Sequence, residues 1–453
     1  MLESPELDET RLTAMLDLAK ERSRALSQRH RRRRAATGAA ALAVTLAIAG
    51  AIVIGPTGGA PTRHQATSSV PTKTLTPAWR LVGDVTQASW QEHPPLSGSQ
   101  PQYSLVCPTA TTCYMLEGPG SQPQAPPSSI EVTGDGGASW QQLALPTGTQ
   151  TTTSLDCIDA STFVLGAFDS AGNAVLLTTD DAGQTWTSQP GPSQLTPSFQ
   201  FFDISCTTAT ACVAIGGVSP ADQSSEVYYS LATNDGGQSW ADSEFAAGFV
   251  PSSIECFSAG GGCMAAGFEQ PTTPSADTGV QGAAMYSTDG GSTWATAAVP
   301  DGLGPINTVS CGQDGTCNAV TFGGKESSTE ASQTLVTTDG GRTWTATAAS
   351  GLPASMLQGL SCPTSSYCWA SGILLPTDSG GSPTTPFDLA DLQGVLAMTT
   401  DGGQTWEPAQ LPADLTQSVI TSVSCPTSTN CLALAWQEAK SQPAQFVLLS
   451  YTS

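Results

Sequence analysis

The chain has 453 residues, a formal net charge of −23, 46 glycines, 32 prolines and only 12% charged residues. Abundant glycine and proline with little charge is typical of many short strands joined by turns. After residue 34 the sequence has 32 acidic side chains against six basic ones, and their repulsion of phosphate groups argues against nucleic acid as a partner.

Residues 1–34 are predicted to be a basic, amphipathic segment in the cytoplasm. They contain nine Lys and Arg residues against six acidic ones. Apolar residues between Leu12 and Ala19 recur with the spacing of a helix. The segment ends in four consecutive arginines, Arg31 to Arg34, directly before an uncharged stretch.

Residues 35–55 are predicted to form a transmembrane helix. They contain no charged side chain, and their 21 residues are enough for a helix to cross a hydrocarbon core about 30 Å thick. Because the arginines precede this stretch, the positive-inside rule places the N-terminus in the cytoplasm and the rest of the chain outside the cell membrane. A single-pass membrane protein is therefore predicted, and a cleaved signal peptide is the alternative.

Residues 56–77 are predicted to be a flexible linker, since they are rich in Pro, Thr and Ser and have no apolar period. Residues 78–453 would then make up the extracytoplasmic domain.

An eight-residue motif recurs six times after residue 132. Its clearest copies are STDGGSTW (287–294), TTDGGRTW (337–344) and TTDGGQTW (399–406), and the others lie at 133–140, 179–186 and 233–240. A degenerate seventh copy ends at Trp90 and lacks the aspartate. The tryptophans are 46 to 62 residues apart, which is the size of a four-stranded propeller blade. We therefore predict an all-β fold, a seven-bladed β-propeller in which the C-terminal strand 446–453 and the N-terminal strand complete one blade.

The aspartate of each motif is predicted to hold its own turn. Its carboxylate can accept hydrogen bonds from the N–H groups of the turn, and the glycines supply positive φ. The tryptophan begins the next strand and packs between blades. Because the motif recurs in six blades, we assign its residues a structural role and not a catalytic one. These residues are Asp135, Asp181, Asp235, Asp289, Asp339 and Asp401, with Trp140, Trp186, Trp240, Trp294, Trp344 and Trp406.

Twelve of the 13 cysteines fall in close pairs between the motifs. The strands on either side of each pair suggest a hairpin with a disulfide across its mouth, which implies an oxidising compartment. Zinc is the alternative, but a closed zinc site needs four Cys or His ligands at tighter spacing. Cys157 is left single, because Phe163 stands where its partner would be. The predicted pairs are Cys107/Cys113, Cys206/Cys212, Cys256/Cys263, Cys311/Cys317, Cys362/Cys368 and Cys425/Cys431.

The motif S/T-x-D-x-G-x-S/T-W resembles the Asp box, or BNR repeat, of sialidase-like β-propellers. The recurrent TTDGGxTW is most similar in style to the photosystem II assembly/stability factor-like propellers of bacteria. The resemblance covers nearly all of residues 78–453. It implies the propeller fold and favours a binding, assembly or sensing role over catalysis.

Antiparallel strands place the cysteine turns and the Asp-box turns on one face of the ring. The opposite face would receive the long irregular segments 117–130, 268–282 and 374–394, and long loops on a rigid scaffold are where binding surfaces form. We therefore predict a monomer that binds a protein or glycan partner on this face. A purely structural role in the cell envelope is not separated from binding by sequence.

No catalytic, cofactor-binding or metal-binding residue is predicted. The resemblance implies that a sialidase would need an arginine cluster, whereas residues 78–453 contain only Arg80 and Arg342. The alternative function is a glycoside hydrolase that uses paired carboxylates. Its candidate acids are Asp156, Asp203 and Glu255, which lie just before cysteines on the predicted inner strands.

Overall fold

The computed structural model describes residues 79–85, 103–117, 128–192, 199–218, 226–257, 261–270, 280–312, 314–323, 331–375, 393–413, 415, 418–437 and 445–452. These residues contain β-strands and no α-helix. No helix within them could span a membrane. The predicted segments 1–34, 35–55 and 56–77 lie outside the described residues.

The strands form seven four-stranded antiparallel sheets, here called blades 1 to 7. The seven-bladed all-β fold with four-stranded blades is thereby confirmed.

The blades have the following strands. Blade 1 consists of β2 (Tyr103–Val106), β3 (Cys113–Glu117), β4 (Ser129–Thr133) and β5 (Gln141–Gln142). Blade 2 consists of β6 (Thr149–Cys157), β7 (Phe163–Asp169), β8 (Ala174–Thr179) and β9 (Thr187–Pro190). Blade 3 consists of β10 (Phe199–Cys206), β11 (Cys212–Val218), β12 (Val227–Thr233) and β13 (Ala241–Glu244). Blade 4 consists of β14 (Phe249–Phe257), β15 (Gly262–Glu269), β16 (Gln281–Ser287) and β17 (Ala295–Thr296).

Blade 5 consists of β18 (Ile306–Cys311), β19 (Cys317–Thr321), β20 (Thr334–Thr337) and β21 (Thr345–Ala346). Blade 6 consists of β22 (Ser355–Ser361), β23 (Cys368–Leu374), β24 (Gln393–Thr399) and β25 (Glu407–Pro408). Blade 7 consists of β26 (Ser418–Thr427), β27 (Asn430–Gln437), β28 (Gln445–Thr452) and β1 (Arg80–Val85).

The first strands of the blades contact one another in order around the ring, and β26 of blade 7 contacts β2 of blade 1. The ring is therefore closed. Blade 7 contains both the first and the last described strands, because β28 pairs with β27 on one side and with β1 on the other. The strand β1 thus supplies the outer strand of that blade.

The core lies between the blades. Each hydrophobic cluster is shared by adjacent blades, and the middle strands are buried on both faces. In β7, for example, the run from Phe163 to Ala167 is buried throughout. Strands packed on both sides need nearly continuous apolar sequence, and β7 and β23 have it. The outer strands β5, β17, β21 and β25 have only two residues each.

The inner strand of blades 2 to 7 carries a register irregularity four residues before the first cysteine of the blade. In blades 3, 4 and 6 a glycine of the second strand lies beside this irregularity. A Cβ at these glycines would collide with a carbonyl oxygen of the inner strand, so only glycine permits the close approach of the two backbones. The three residues are Gly216, Gly267 and Gly372.

Trp79 takes the place in blade 7 that the motif tryptophan has in the other blades. It directly precedes the outer strand, and its N–H donates to the carbonyl of Gln410 at 3.1 Å. The N–H of Trp406 donates to Ser350 in the same way, at 2.7 Å. The expectation that the seventh copy ends at Trp90 is therefore wrong, since strand register and not tryptophan spacing defines the position. Trp90 itself lies outside the described residues.

Candidate functional site

The Asp-box turns join the third and fourth strands of blades 1 to 6. In blade 1, Asp135 Oδ1 accepts hydrogen bonds from Ser139 N at 2.9 Å and from Thr133 Oγ1 at 2.8 Å, and Oδ2 accepts from Ser139 Oγ at 2.6 Å. Thr133 Oγ1 in turn accepts from Gly137 N at 2.9 Å. The other five turns repeat this pattern at matching positions. Each carboxylate is thus occupied by its own turn.

The electrostatics of these aspartates agree with this role. Hydrogen bonds, first from the Ser139 hydroxyl and then from its N–H, lower the pKa of Asp135 to about 2. The pKa of Asp181 is likewise lowered to about 2, mainly by the hydroxyl of Thr185. A carboxylate held ionised by its own turn is a poor general acid at neutral pH.

At the second glycine of each turn, a side chain from the preceding blade packs against the Cα. Gly341 has φ +83°, and a Cβ there would collide with Met264 Sδ of blade 4. At Gly291 a Cβ would lie only 2.7 Å from a methyl group of Val213 in blade 3. Turn and neighbouring blade therefore fit together only when glycine occupies this position.

The motif tryptophans also join blades. Trp344 and Trp406 are buried, with 5% and 4% of their surface exposed. Trp294 donates from Nε1 to Ser230 Oγ of blade 3 at 2.7 Å. Trp186 donates from Nε1 to the carbonyl of Ala144, in the connection that follows β5 of blade 1, at 3.0 Å.

Six disulfides cross the mouths of the hairpins between the first and second strands, with Cα–Cα distances of 4.0 to 4.1 Å. All six predicted pairs are confirmed. They join Cys107 to Cys113, Cys206 to Cys212, Cys256 to Cys263, Cys311 to Cys317, Cys362 to Cys368, and Cys425 to Cys431.

Two of the six hairpins depart from the common pattern. In blade 4 the turn is one residue longer, yet Cys256 still lies directly opposite Cys263 in the register. In blade 7 a register irregularity lies between Ser424 and Thr427, at the position of Cys425. The disulfide from Cys425 to Cys431 nevertheless keeps a Cα–Cα distance of 4.1 Å. Direct opposition of the two cysteines is therefore not required at every hairpin.

Cys157 is the free cysteine of the described residues and lies opposite Phe163 in the register. Burial, with smaller contributions from the charges of Asp156 and Asp159, raises the pKa of the Cys157 thiol, so it is a weak nucleophile. The described residues include no cluster of three His, Cys, Asp or Glu side chains that could hold a metal ion.

The three candidate acids lie on the inner strands of consecutive blades, and two of them bind the next blade. Asp156 Oδ2 of blade 2 accepts from Cys206 N of blade 3 at 2.6 Å. Asp203 Oδ2 of blade 3 accepts from Ile254 N of blade 4 at 2.9 Å. Both carboxylates therefore support contacts between blades.

Burial raises the pKa of all three acids. The pKa of Asp156 rises to about 7, chiefly through burial and further through the charge of Asp203. Burial raises the pKa of Asp203 to about 6. The pKa of Glu255 is raised by burial and then by the charges of Asp156 and Asp203. Each of the three residues is only partly buried and keeps some accessible surface.

Asp156 belongs to a series of equivalent contacts that we call the latch ladder. The residue before the first cysteine of a blade accepts a hydrogen bond from the N–H of the first cysteine in the next blade. Serine makes four such contacts, at 2.9 to 3.1 Å, and Asp156 makes the fifth. The donor and acceptor pairs are Cys107 to Ser424, Cys206 to Asp156, Cys256 to Ser205, Cys362 to Ser310 and Cys425 to Ser361.

Sequence reasoning missed this ladder although a signal was present. Six of the seven blades have Ser, Asp or Glu directly before the first cysteine, and blade 1 has Val106. Of these six residues, sequence reasoning named only the two acids, Asp156 and Glu255, and it named them as candidate catalytic groups.

Two cavities open beside the turns, where the repeat is broken. One of about 250 Å³ lies between blades 2 and 3 and is lined by Phe163, which replaces a disulfide cysteine, and by Asp235. The other, of about 240 Å³, lies between blades 7 and 1 and is lined by Tyr451 and Asp135. Blade 7 has no Asp-box turn between β28 and β1, since these strands come from opposite ends of the described chain.

The two faces of the ring differ in regularity. On the turn face, residues 134–140 join β4 to β5, and each later Asp-box turn has the same length. On the opposite face, called the loop face, the connection from second to third strand ranges from residues 170–173 in blade 2 to residues 375–392 in blade 6. Parts of the predicted segments 117–130, 268–282 and 374–394 lie outside the described residues. Their ends join second and third strands, as expected.

The described part of the chain has no arginine cluster. Arg80 lies on the outer strand of blade 7. Arg342 lies in the Asp-box turn of blade 5, where it donates to the carbonyl of Asp339 at 2.6 Å and stacks on Tyr286.

No protein-family model matches the sequence, and no curated protein matches it. Similar solved structures include YCF48 bound to D1 peptide, with 19% identity, a TM-score of 0.35, and coverage of 69% of this chain and 97% of that one. YCF48 from Cyanidioschyzon merolae has 17% identity and a TM-score of 0.37, with 70% and 99% covered. A GH74 xyloglucanase from Xanthomonas campestris has 15% identity and a TM-score of 0.38, with 76% and 66% covered. Structures this distant do not support an argument about function. The likeness to the Asp-box family therefore rests on the sequence motif alone.

Proposed function

We propose that the protein is a membrane-anchored, extracytoplasmic binding scaffold without catalytic activity. In this proposal residues 1–34 are cytoplasmic, helix 35–55 crosses the cell membrane, and linker 56–77 carries a monomeric propeller outside. The loop face of the ring binds a protein or glycan partner.

The contrast between the two faces carries this proposal. The turn face repeats one hydrogen-bonded turn of constant length, and its carboxylates are occupied by their own turns. Variation in length is concentrated in the connections of the loop face. A rigid ring with variable loops on one side is the usual arrangement of a binding surface.

The charge of the chain favours a partner with basic groups. Within the described residues the basic side chains are Arg80 and Arg342, and residues after 34 carry 32 acidic side chains. An acidic surface attracts a basic partner and speeds its approach.

A second candidate function is a glycoside hydrolase-type activity. One observation favours it: the raised pKa of Glu255 is a property that a general acid needs. Against it, Asp156 and Asp203 use carboxylate oxygens to hold neighbouring blades. A panel of glycan substrates incubated with the protein and with Glu255→Gln separates the two: turnover that depends on Glu255 would establish the hydrolase.

Photo-crosslinking from matched positions tests the binding proposal. A photoreactive residue at Ala171 lies on the loop face of blade 2, and one at Gln184 lies on the turn face of the same blade; both positions are exposed. In membranes of the native cell, we expect a reproducible crosslinked partner from Ala171 and none from Gln184. Crosslinks from Gln184 and none from Ala171 would place the partner on the turn face and contradict the proposal.

A further inference from the structure

Each contact of the latch ladder is here called a rung. One rung has an acceptor group that can change its charge. Four of the ladder's contacts end on serine hydroxyls, which stay neutral at any physiological pH. The contact between blades 2 and 3 ends on the carboxyl group of Asp156, at 2.6 Å from Cys206 N. One seam of the ring is therefore closed by a titratable group in the place of a serine.

The titratable groups that the structure describes around Asp156 are two acids and a thiol. Asp203 faces it from β10, and both acids act on Glu255 of β14. On its own strand the neighbour is the free thiol of Cys157, which also interacts with Tyr114 of β3. The described cations, Arg80 and Arg342, belong to an outer strand of blade 7 and to a turn of blade 5.

Ionisation of these acids therefore places like charges on adjacent inner strands without a described cation between them. The hydrogen bond from Cys206 N favours the ionised carboxyl group and by itself lowers the pKa of Asp156, but burial outweighs it. A protonated carboxyl group still accepts this N–H through its carbonyl oxygen, so the latch persists when the charge is removed. Like charges enclosed by protein repel one another more strongly than charges in water.

We propose that the Asp156 rung makes the seam between blades 2 and 3 a pH-sensitive closure of the ring, tight while the acids hold their protons and loosened as they ionise. The direction follows from proton binding. Burial raises the pKa of Asp156 from 3.8 to about 7 and that of Asp203 to about 6. Between about pH 4 and pH 7 these two groups thus bind more protons in the folded protein than in the unfolded chain, so their contribution to the free energy of unfolding falls as pH rises through this window.

Hydrogen–deuterium exchange of the full-length protein tests this closure. Peptides that cover β10, where Cys206 N donates to Asp156, are compared at pH 5 and pH 8 after correction for the intrinsic exchange rate. We expect the opening equilibrium of β10 to increase about tenfold or more in the wild type, since one unit of pKa corresponds to a factor of ten. In Asp156→Ser, which installs the rung of the other blades, the increase should be at least about threefold smaller than in the wild type, and the remaining dependence comes from Asp203.

Two further variants make the test decisive. Ser205→Asp creates a second acidic rung between blades 3 and 4 and should make exchange in β14 dependent on pH. Asp156→Asn keeps an acceptor oxygen without a proton to lose, and it replaces Asp156→Ser if that variant does not fold. A wild type without pH dependence in β10, or a dependence as large in Asp156→Ser or Asp156→Asn as in the wild type, would overturn the proposal.

Discussion

The indole ring of Trp79 packs edge-on against the indole ring of Trp369, with 5.1 Å between the ring centroids. Trp369 belongs to blade 6, and its position directly follows the second cysteine of the blade. In blades 3 and 4 the side chain at this position presses on the turn glycine of the next blade. Blade 7 has no Asp-box turn, and Trp79, Trp369 and Tyr451 fill the space with a cluster of aromatic rings.

Trp79→Ala should destabilise the ring by about 3–5 kcal/mol, the usual cost of removing a buried aromatic side chain. Trp79 is only 3% exposed, and its loss would open the contact between blades 6 and 7. Chemical denaturation measures the change. The control is Leu81→Ala on the same strand, where the side chain is 43% exposed and the expected change is below about 0.5 kcal/mol. Equal effects of the two substitutions would contradict the assignment of Trp79.

Asp339→Ala should lower the free energy of unfolding by about 1–3 kcal/mol, because its turn loses several hydrogen bonds to one carboxylate. Asp339→Asn should cost less, since the amide retains an acceptor oxygen. The exposed Asp301 serves as the control, and Asp301→Ala should leave the melting temperature unchanged. A neutral Asp339→Ala would show that the turn holds without its aspartate.

Gly341→Ala and Gly302→Ala separate strain from collision, since both glycines have φ of +83°. A Cβ at Gly302 meets nothing within 4 Å, so only the backbone conformation opposes alanine there; we expect a cost of about 1 kcal/mol. At Gly341 the Cβ also collides with Met264, and the total should reach about 2–4 kcal/mol. Met264→Ala combined with Gly341→Ala should recover part of the difference in a double-mutant cycle. If the two substitutions are additive, the contact between Gly341 and Met264 would not be the cause of the larger loss of stability at Gly341.

Asn318→Val should stabilise the protein by about 1–2 kcal/mol. Asn318 is 2% exposed, and its Nδ2 has no hydrogen-bond partner among the residues that the structure describes. The equivalent residue of blade 3 is Val213, which shows that valine fits this position. Calorimetry should show a melting temperature about 2–4 °C higher. A lower melting temperature would indicate that the amide contributes something that valine cannot replace.

Features confined to a single turn could be predicted from sequence. The disulfides join cysteines six or seven residues apart, and the Asp-box contacts span four residues or fewer. The latch ladder was missed because its donor and acceptor are 50 to 317 residues apart. Asp156 consequently looked like a catalytic acid, although its nearest partner is the backbone of the next blade. Trp90 fitted the spacing of the tryptophans, whereas the role of Trp79 depends on pairing between β1 and the last strand.

The claim that the loop face binds the partner is tested most directly by capture from the native cell envelope. In one variant a short Gly-Ser turn replaces residues 376–392, and the buried Leu375 that follows β23 is kept. Because the cost of loop closure changes slowly with length, this variant should keep its melting temperature. The account predicts that it loses the partner, while folded Asp339→Ala retains it. Capture of the same partners by the loop variant, together with their loss from folded Asp339→Ala, would contradict the account and place the binding surface on the turn face.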